Sequence, residues 1–170
     1  MGGAALAVTA LVALALTGGR PEPGLAPFEA AGVMAAVPVE TISAVDVRAH
    51  DRHWRFQRIG ESWRLAGSTA APGADVTTHV TAALRFLHAS APQQRLPGIE
   101  IASPQRAEFG LDPPRYVVSV QAEGQRPFEV AFGAINPLGL AQYVQVATDP
   151  DVLLLPRYVG DAWEAATRPP

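Results

Sequence analysis

The chain carries four histidines, His50, His53, His79 and His88, and no cysteine. Any metal or acid–base chemistry must therefore come from imidazole, carboxylate and hydroxyl groups. His50 and His53 stand three residues apart around a hairpin bend, with Asp51 between them. Zinc needs three or four convergent donors. No third histidine and no HExxH pattern lies nearby, so the pair reads as solvated turn residues and no metal is expected. His79 and His88 sit on a helical stretch, about two and a half turns apart, which points them to nearly opposite sides. Ser62, in Gly60-Glu61-Ser62-Trp63-Arg64, lacks the final glycine of a nucleophile elbow and falls in a β meander. All thirteen basic residues are arginine, which removes the phosphate-loop lysine and Schiff-base chemistry. Without cysteine there is no disulfide, thiolate zinc site, lipidated-cysteine anchor or thiol nucleophile. No catalytic, cofactor-binding or metal-binding residue is assigned, and the chain reads as a non-enzyme without a cofactor.

Charge and aromatic residues offer the remaining chemistry. Arg48, Arg52, Arg55, Arg58 and Arg64 cluster in the first meander and would form a basic face toward anionic lipid headgroups or an acidic partner. Asp46, Asp51 and Glu61 dilute it, and a solvated strand face is the simpler account. The net charge is -3, so no nucleic-acid partner is expected. Asp149 and Asp151 flank Pro150 without calcium-loop spacing. Gly133 and Gly139 are too isolated to cradle a phosphate. Trp54, Trp63, Phe128 and Phe132 would line a ligand pocket or simply fill a core.

The elements that position these residues follow from periodicity. Apolar residues make up 48% and charged residues 17% of the 170, enough to close one core. Residues 1–19 carry no charge and would span ~28 Å as a helix. They read as a transmembrane anchor, or as a secretory signal with Ala13-Leu14-Ala15 as its small-x-small site. Arg20 is the first charge and lies on the far side of the run; taken literally, the positive-inside rule would keep the body in the cytoplasm. One arginine beside Glu22 carries little weight, and the expected location is a single-pass cell-membrane protein with its domain on the extracytoplasmic (periplasmic) side. The alternative is secretion after cleavage. Residues 20–38 form a Pro/Gly/Ala-rich linker, 39–166 the single α+β domain and 167–170 a disordered tail.

Within the domain, 39–47, 53–59 and 62–65 read as strands, with Trp54, Phe56, Trp63 and Leu65 facing inward. Val76, Val80, Ala83, Leu84 and Leu87 fall on one helical stripe over 74–89, with Asp75 as its cap. A short strand at 99–101 and a helical turn at 104–109 precede the Pro113-Pro114 corner, where Asp112 caps a turn. Strands follow at 116–120, 128–132, 141–147 and 152–155. Residues 157–166 form a final helix with Tyr158 and Trp163 facing the body.

Four stretches then resemble, in order, the domain of unknown function 4340 family. Phe109-Gly110-Leu111-Asp112-Pro113-Pro114 before an alternating strand is similar to that family's signature. Trp63-Arg64-Leu65 ahead of a Pro72…Ala74-Asp75 helix start, Phe132-Gly133 ahead of an Asn136-Pro137 loop, and Gln142-Tyr143-Val144 ahead of Val152-Leu153-Leu154 agree with it. The resemblance covers about residues 42–163. It implies an N-terminal membrane segment, an extracytoplasmic α+β domain and, for some members, links to ABC-type transport or gliding motility. It carries over no catalytic residues. Its structural motif in this chain is Trp63, Asp75, Gly110, Leu111, Asp112, Pro113, Pro114, Gly133 and Tyr143.

The expected fold is thus α+β, with antiparallel β meanders packed on one main amphipathic helix and an N-terminal apolar helix. The expected function is an accessory or scaffold module binding a protein partner in an envelope complex, which predicts an exposed edge strand or apolar patch near residues 133–140. The alternatives are a small-molecule or lipid-binding module, with its ligand between helix 75–88 and the sheet, and a hydrolase.

Overall fold

Period-two alternation turns one face of every strand inward, and in this chain it builds one sheet. The computed structural model describes residues 31–68, 74–101 and 103–168. Its strands are β1 (Ile42–Ala49), β2 (Arg52–Ile59), β3 (Ser62–Leu65), β4 (Gln94–Leu96), β5 (Tyr116–Ala122), β6 (Phe128–Ile135), β7 (Ala141–Val146) and β8 (Val152–Pro156). They lie in the order β3-β2-β1-β5-β6-β7-β8-β4, and every neighbouring pair is antiparallel. Among the described residues three α-helices accompany them: α1 (Ala74–Ala89), α2 (Ser103–Glu108) and α3 (Arg157–Ala166).

This architecture corrects the expected one in three respects. First, the two meanders are halves of a single eight-stranded antiparallel sheet. β1 pairs directly with β5, Val45 opposite Val120 and Val47 opposite Val118, because both halves present valines on the same face and bury more apolar surface joined than apart. Second, α1 is not the sole main helix: α3 packs beside it and against β7 and β8. Third, the expected N-terminal apolar helix is not among the elements of the described residues. The segment 1–19 lies outside the described residues, and among those described no helix is long and apolar enough to cross a membrane.

The core sits between the helical pair and one face of the sheet. Val80, Ala83, Leu84 and Leu87 of α1 are fully buried with Phe56 and Trp63 of the sheet, and Val76 packs at the margin. Trp163 and Val159 bring α3 into the same cluster. Tyr158, expected to face inward, is half exposed. Met34 and Val37 are buried in this core too, so residues 31–38, read from sequence as the end of a linker, contribute to it.

Local departures have local causes. Residues 39–41 form a 3-10 turn and the strand starts at Ile42. Residues 98–100 form another 3-10 turn rather than a strand, leaving Ile99 95% exposed. The strand in this region is β4, three residues long, paired only with β8. Asp75 lies inside the first turn of α1, not before it, where its carboxylate meets the positive end of the helix. On the opposite sheet face the corner that follows α2 packs against Gly133 of β6 and Tyr143 of β7. Over β2, β1 and β5 that face is polar.

Candidate functional site

Several of the residues that carry the resemblance converge in space. Gly110 has φ +63°, a conformation that favours glycine. The Phe109 carbonyl then accepts a bond from Ala134 N at 2.7 Å. A side chain on Gly133 would overlap that carbonyl oxygen and crowd Leu111. Phe109 stacks on Tyr143, centroids 4.4 Å apart, and Leu111 bridges Pro114. The Asp112-Pro113 peptide is cis, and Asp112 itself is exposed. Thus Gly110, Leu111, Pro114, Gly133 and Tyr143 form one packed corner on β6 and β7. Trp63 lies in the core across the sheet, its backbone N–H donating to Thr77 Oγ1 of α1 at 3.0 Å. These residues hold the fold together; they are not arranged around a reacting atom.

The basic face does not assemble. Arg48 and Arg55 lie on the polar sheet face by register, with Arg64 opposite Gln57. Arg52 and Arg58 alternate to the other face. Acidic groups answer two of those on the polar face. Arg48 meets Glu129 at 3.0 Å, and Arg55 meets the buried Asp46 at 3.4 Å. Arg58 donates to the Val39 and Glu40 carbonyls, both at 3.1 Å, and lies over the Trp63 ring. Split between two faces in this way, the five arginines do not form one continuous basic face.

Asp46 is the unforeseen member of this region. Its carboxylate takes His53 Nε2 at 2.8 Å and Gln121 Nε2 at 3.3 Å besides Arg55. A buried carboxylate needs such partners. Ser119 faces it from β5, so the carboxylate stands between serine and imidazole. A serine nucleophile needs the imidazole in the middle. Ser62 lies on edge strand β3 opposite Ile59. His50 and His53 part company: His50 sits in the turn, His53 on Asp46. His79 is exposed, whereas His88 Nδ1 lies 3.1 Å from the Val37 carbonyl. Among the described residues no three His, Asp or Glu side chains gather to hold a metal.

Two features remain that could engage another molecule. One is the loop between β6 and β7. Asn136 accepts at its Oδ1 from Leu140 N at 3.0 Å and Ala141 N at 3.1 Å. Its carbonyl accepts from Gly139 N, and its own N–H donates to the Ala141 carbonyl, both at 2.8 Å. The loop so fixed holds Leu138 78% and Leu140 68% exposed, the apolar patch anticipated at residues 133–140. Arg157 N donates to the Leu140 carbonyl at 3.0 Å, which sets the start of α3 beside the loop. There Tyr158 and Phe86, both partly exposed, meet edge to face at 5.2 Å.

The other is a cavity of about 330 Å³ between the β1–β2 turn and the last turn of α3, walled by Trp54, Tyr116 and Trp163. It went unforeseen because its walls come from segments more than a hundred residues apart. It does not lie under α1, where the ligand of the small-molecule alternative was expected; that interface is filled by side chains with no exposure. Tyr116 donates to the Gly160 carbonyl at 3.2 Å. Burial, reinforced by Glu164, pushes its phenol pKa far up, so it stays neutral. Trp163 Nε1 is buried without an acceptor. Set beside family models, curated proteins and solved structures, the chain matches none of them.

Proposed function

We propose that this chain is a non-catalytic accessory module that docks a protein partner in an envelope complex. It is held at the membrane by its apolar N-terminal segment, with the domain on the extracytoplasmic side, and is related to the domain of unknown function 4340 family. The observation that carries the docking reading is the leucine pair of the β6–β7 loop. Burying one leucine is worth roughly 1.5–3 kcal/mol, and here two stand in water on a loop fixed by four hydrogen bonds. A fixed loop loses little entropy when a partner covers it, and a rigid apolar display of this kind is typical of an interaction site. The packed corner of Gly110, Leu111, Gly133 and Tyr143 supports the family reading, because residues distant in sequence but named together by the resemblance have a shared structural reason.

The test is affinity capture of the full chain from detergent-solubilised membranes, compared with Leu138→Ser/Leu140→Ser and with His79→Ala, an exposed position nearer the start of α1, as a control. A stoichiometric partner, retained by the control and reduced at least tenfold by the double variant, is the expected result. Equal capture by the double variant, with its circular dichroism unchanged, would overturn the proposal. Mass spectrometry of the mature N-terminus decides between the anchor and the cleaved signal.

A further inference from the structure

We propose that the cavity at the end of α3 binds a small aromatic carboxylate. The argument starts from β1. Val45 and Val47 fill the core-facing positions of this strand, and the next such position is Ala49. A methyl group there leaves space that a larger residue would take. Trp54 of β2, Tyr116 of β5 and Trp163 of α3 wall that space. Three aromatic rings around about 330 Å³ suit a flat one- or two-ring body, since such rings stack or meet edge to face at little entropic cost.

The mouth selects the charge. His50 and Arg115 lie on the rim, and an adjoining hollow that shares Trp54 and Thr167 adds Arg52 and His53. The acids facing this end are Glu164, on the rim, and Asp51, in the same turn as His50. Glu164 takes a single contact from Arg115 at 3.2 Å, so most of that guanidinium's five donors stay available to a second carboxylate. His53 is already bonded to Asp46. His50 has φ 45° at the first position of a two-residue hairpin turn, a place that favours glycine; the imidazole is presented at the rim despite that preference. The other hollows lack this combination. One is an open groove on α1 lined by threonines, Glu61 and Arg85, without a second aromatic wall beside Phe86.

The probe is 2-naphthoate, with neutral 2-naphthalenemethanol as comparator, titrated into the full chain and followed by calorimetry and by the three indole N–H resonances. Saturable sub-millimolar binding that moves the Trp54 and Trp163 resonances and spares Trp63 supports the proposal. So does an affinity at least fivefold weaker for the alcohol, about fivefold weaker for Arg115→Gln, and lost in Ala49→Leu, which fills the space. No saturable binding, perturbation centred on Trp63, or equal affinity for the alcohol would overturn it. The resonance map needs no substitution, so an unfolded variant leaves the decision intact. Leu138→Ser/Leu140→Ser leaves naphthoate binding unchanged, which separates this site from the docking loop.

Discussion

Gly133 has no side chain because the Phe109 carbonyl occupies the place where one would go. Gly133→Ala therefore forces the corner away from β6 and strains its bond to Ala134. Urea denaturation is expected to register a loss of roughly 2–4 kcal/mol for this variant, against less than about 0.5 kcal/mol for exposed Asp112→Asn. Equal effects would show that the corner does not rest on β6. At this scale the sequence was half legible. The Gly110–Pro114 string announces a rigid corner through the limits that Gly and Pro place on φ. Nothing in it points to Gly133, because a close backbone approach leaves no trace except a missing side chain. Asp46 was opaque for a related reason: one carboxylate in an alternating strand looks solvated until its neighbours His53, Arg55 and Gln121 are known.

Elements are legible in proportion to their length and period. The stripe of α1 repeats over sixteen residues and specifies which side chains the sheet must cover. Leu87, with no exposure, illustrates the consequence: Leu87→Ala is expected to lower stability by about 2–5 kcal/mol, since a packed site collapses only partly around the lost atoms. His79→Ala, on the outer face, should stay within about 0.5 kcal/mol of the parent; a thermal melt of the two variants checks both. β4 lies at the other extreme. Its three residues, Gln94, Arg95 and Leu96, give no alternation to read, and only the pairing with β8 makes them a strand. The five-residue slip between an expected strand at 99–101 and the observed Gln94–Leu96 arises because exposed Ile99 mimics a buried β-former.

At the scale of the whole molecule, strand order decides the fold, and periodicity is silent about order. Both halves of the sheet alternate correctly on their own, so nothing local distinguishes two small sheets from one closed through β1 and β5. What the single sheet requires is two managed edges. The β4 edge is held by charge. Arg95 donates to Asp149 at 2.6 Å and to Asp151 at 3.0 Å, and Asp151 also accepts from Gly98 N at 2.9 Å. The Gly98 bond first, and Arg95 second, hold the Asp151 carboxyl below its ordinary value of 3.8, while the two acids push the Arg95 pKa up and keep it charged throughout. A carboxyl depressed on folding stabilises the native state fully above its unfolded value, and that contribution is lost as pH falls through the folded value. Asp151→Asn should therefore melt below the parent at pH 7, with the gap narrowing as the pH drops from about 4 toward 2. Thermal melts of both proteins across that range read it directly. A gap independent of pH would mean that the neutral hydrogen bond to Gly98, and not the ionised carboxylate, fastens the last strand to the sheet.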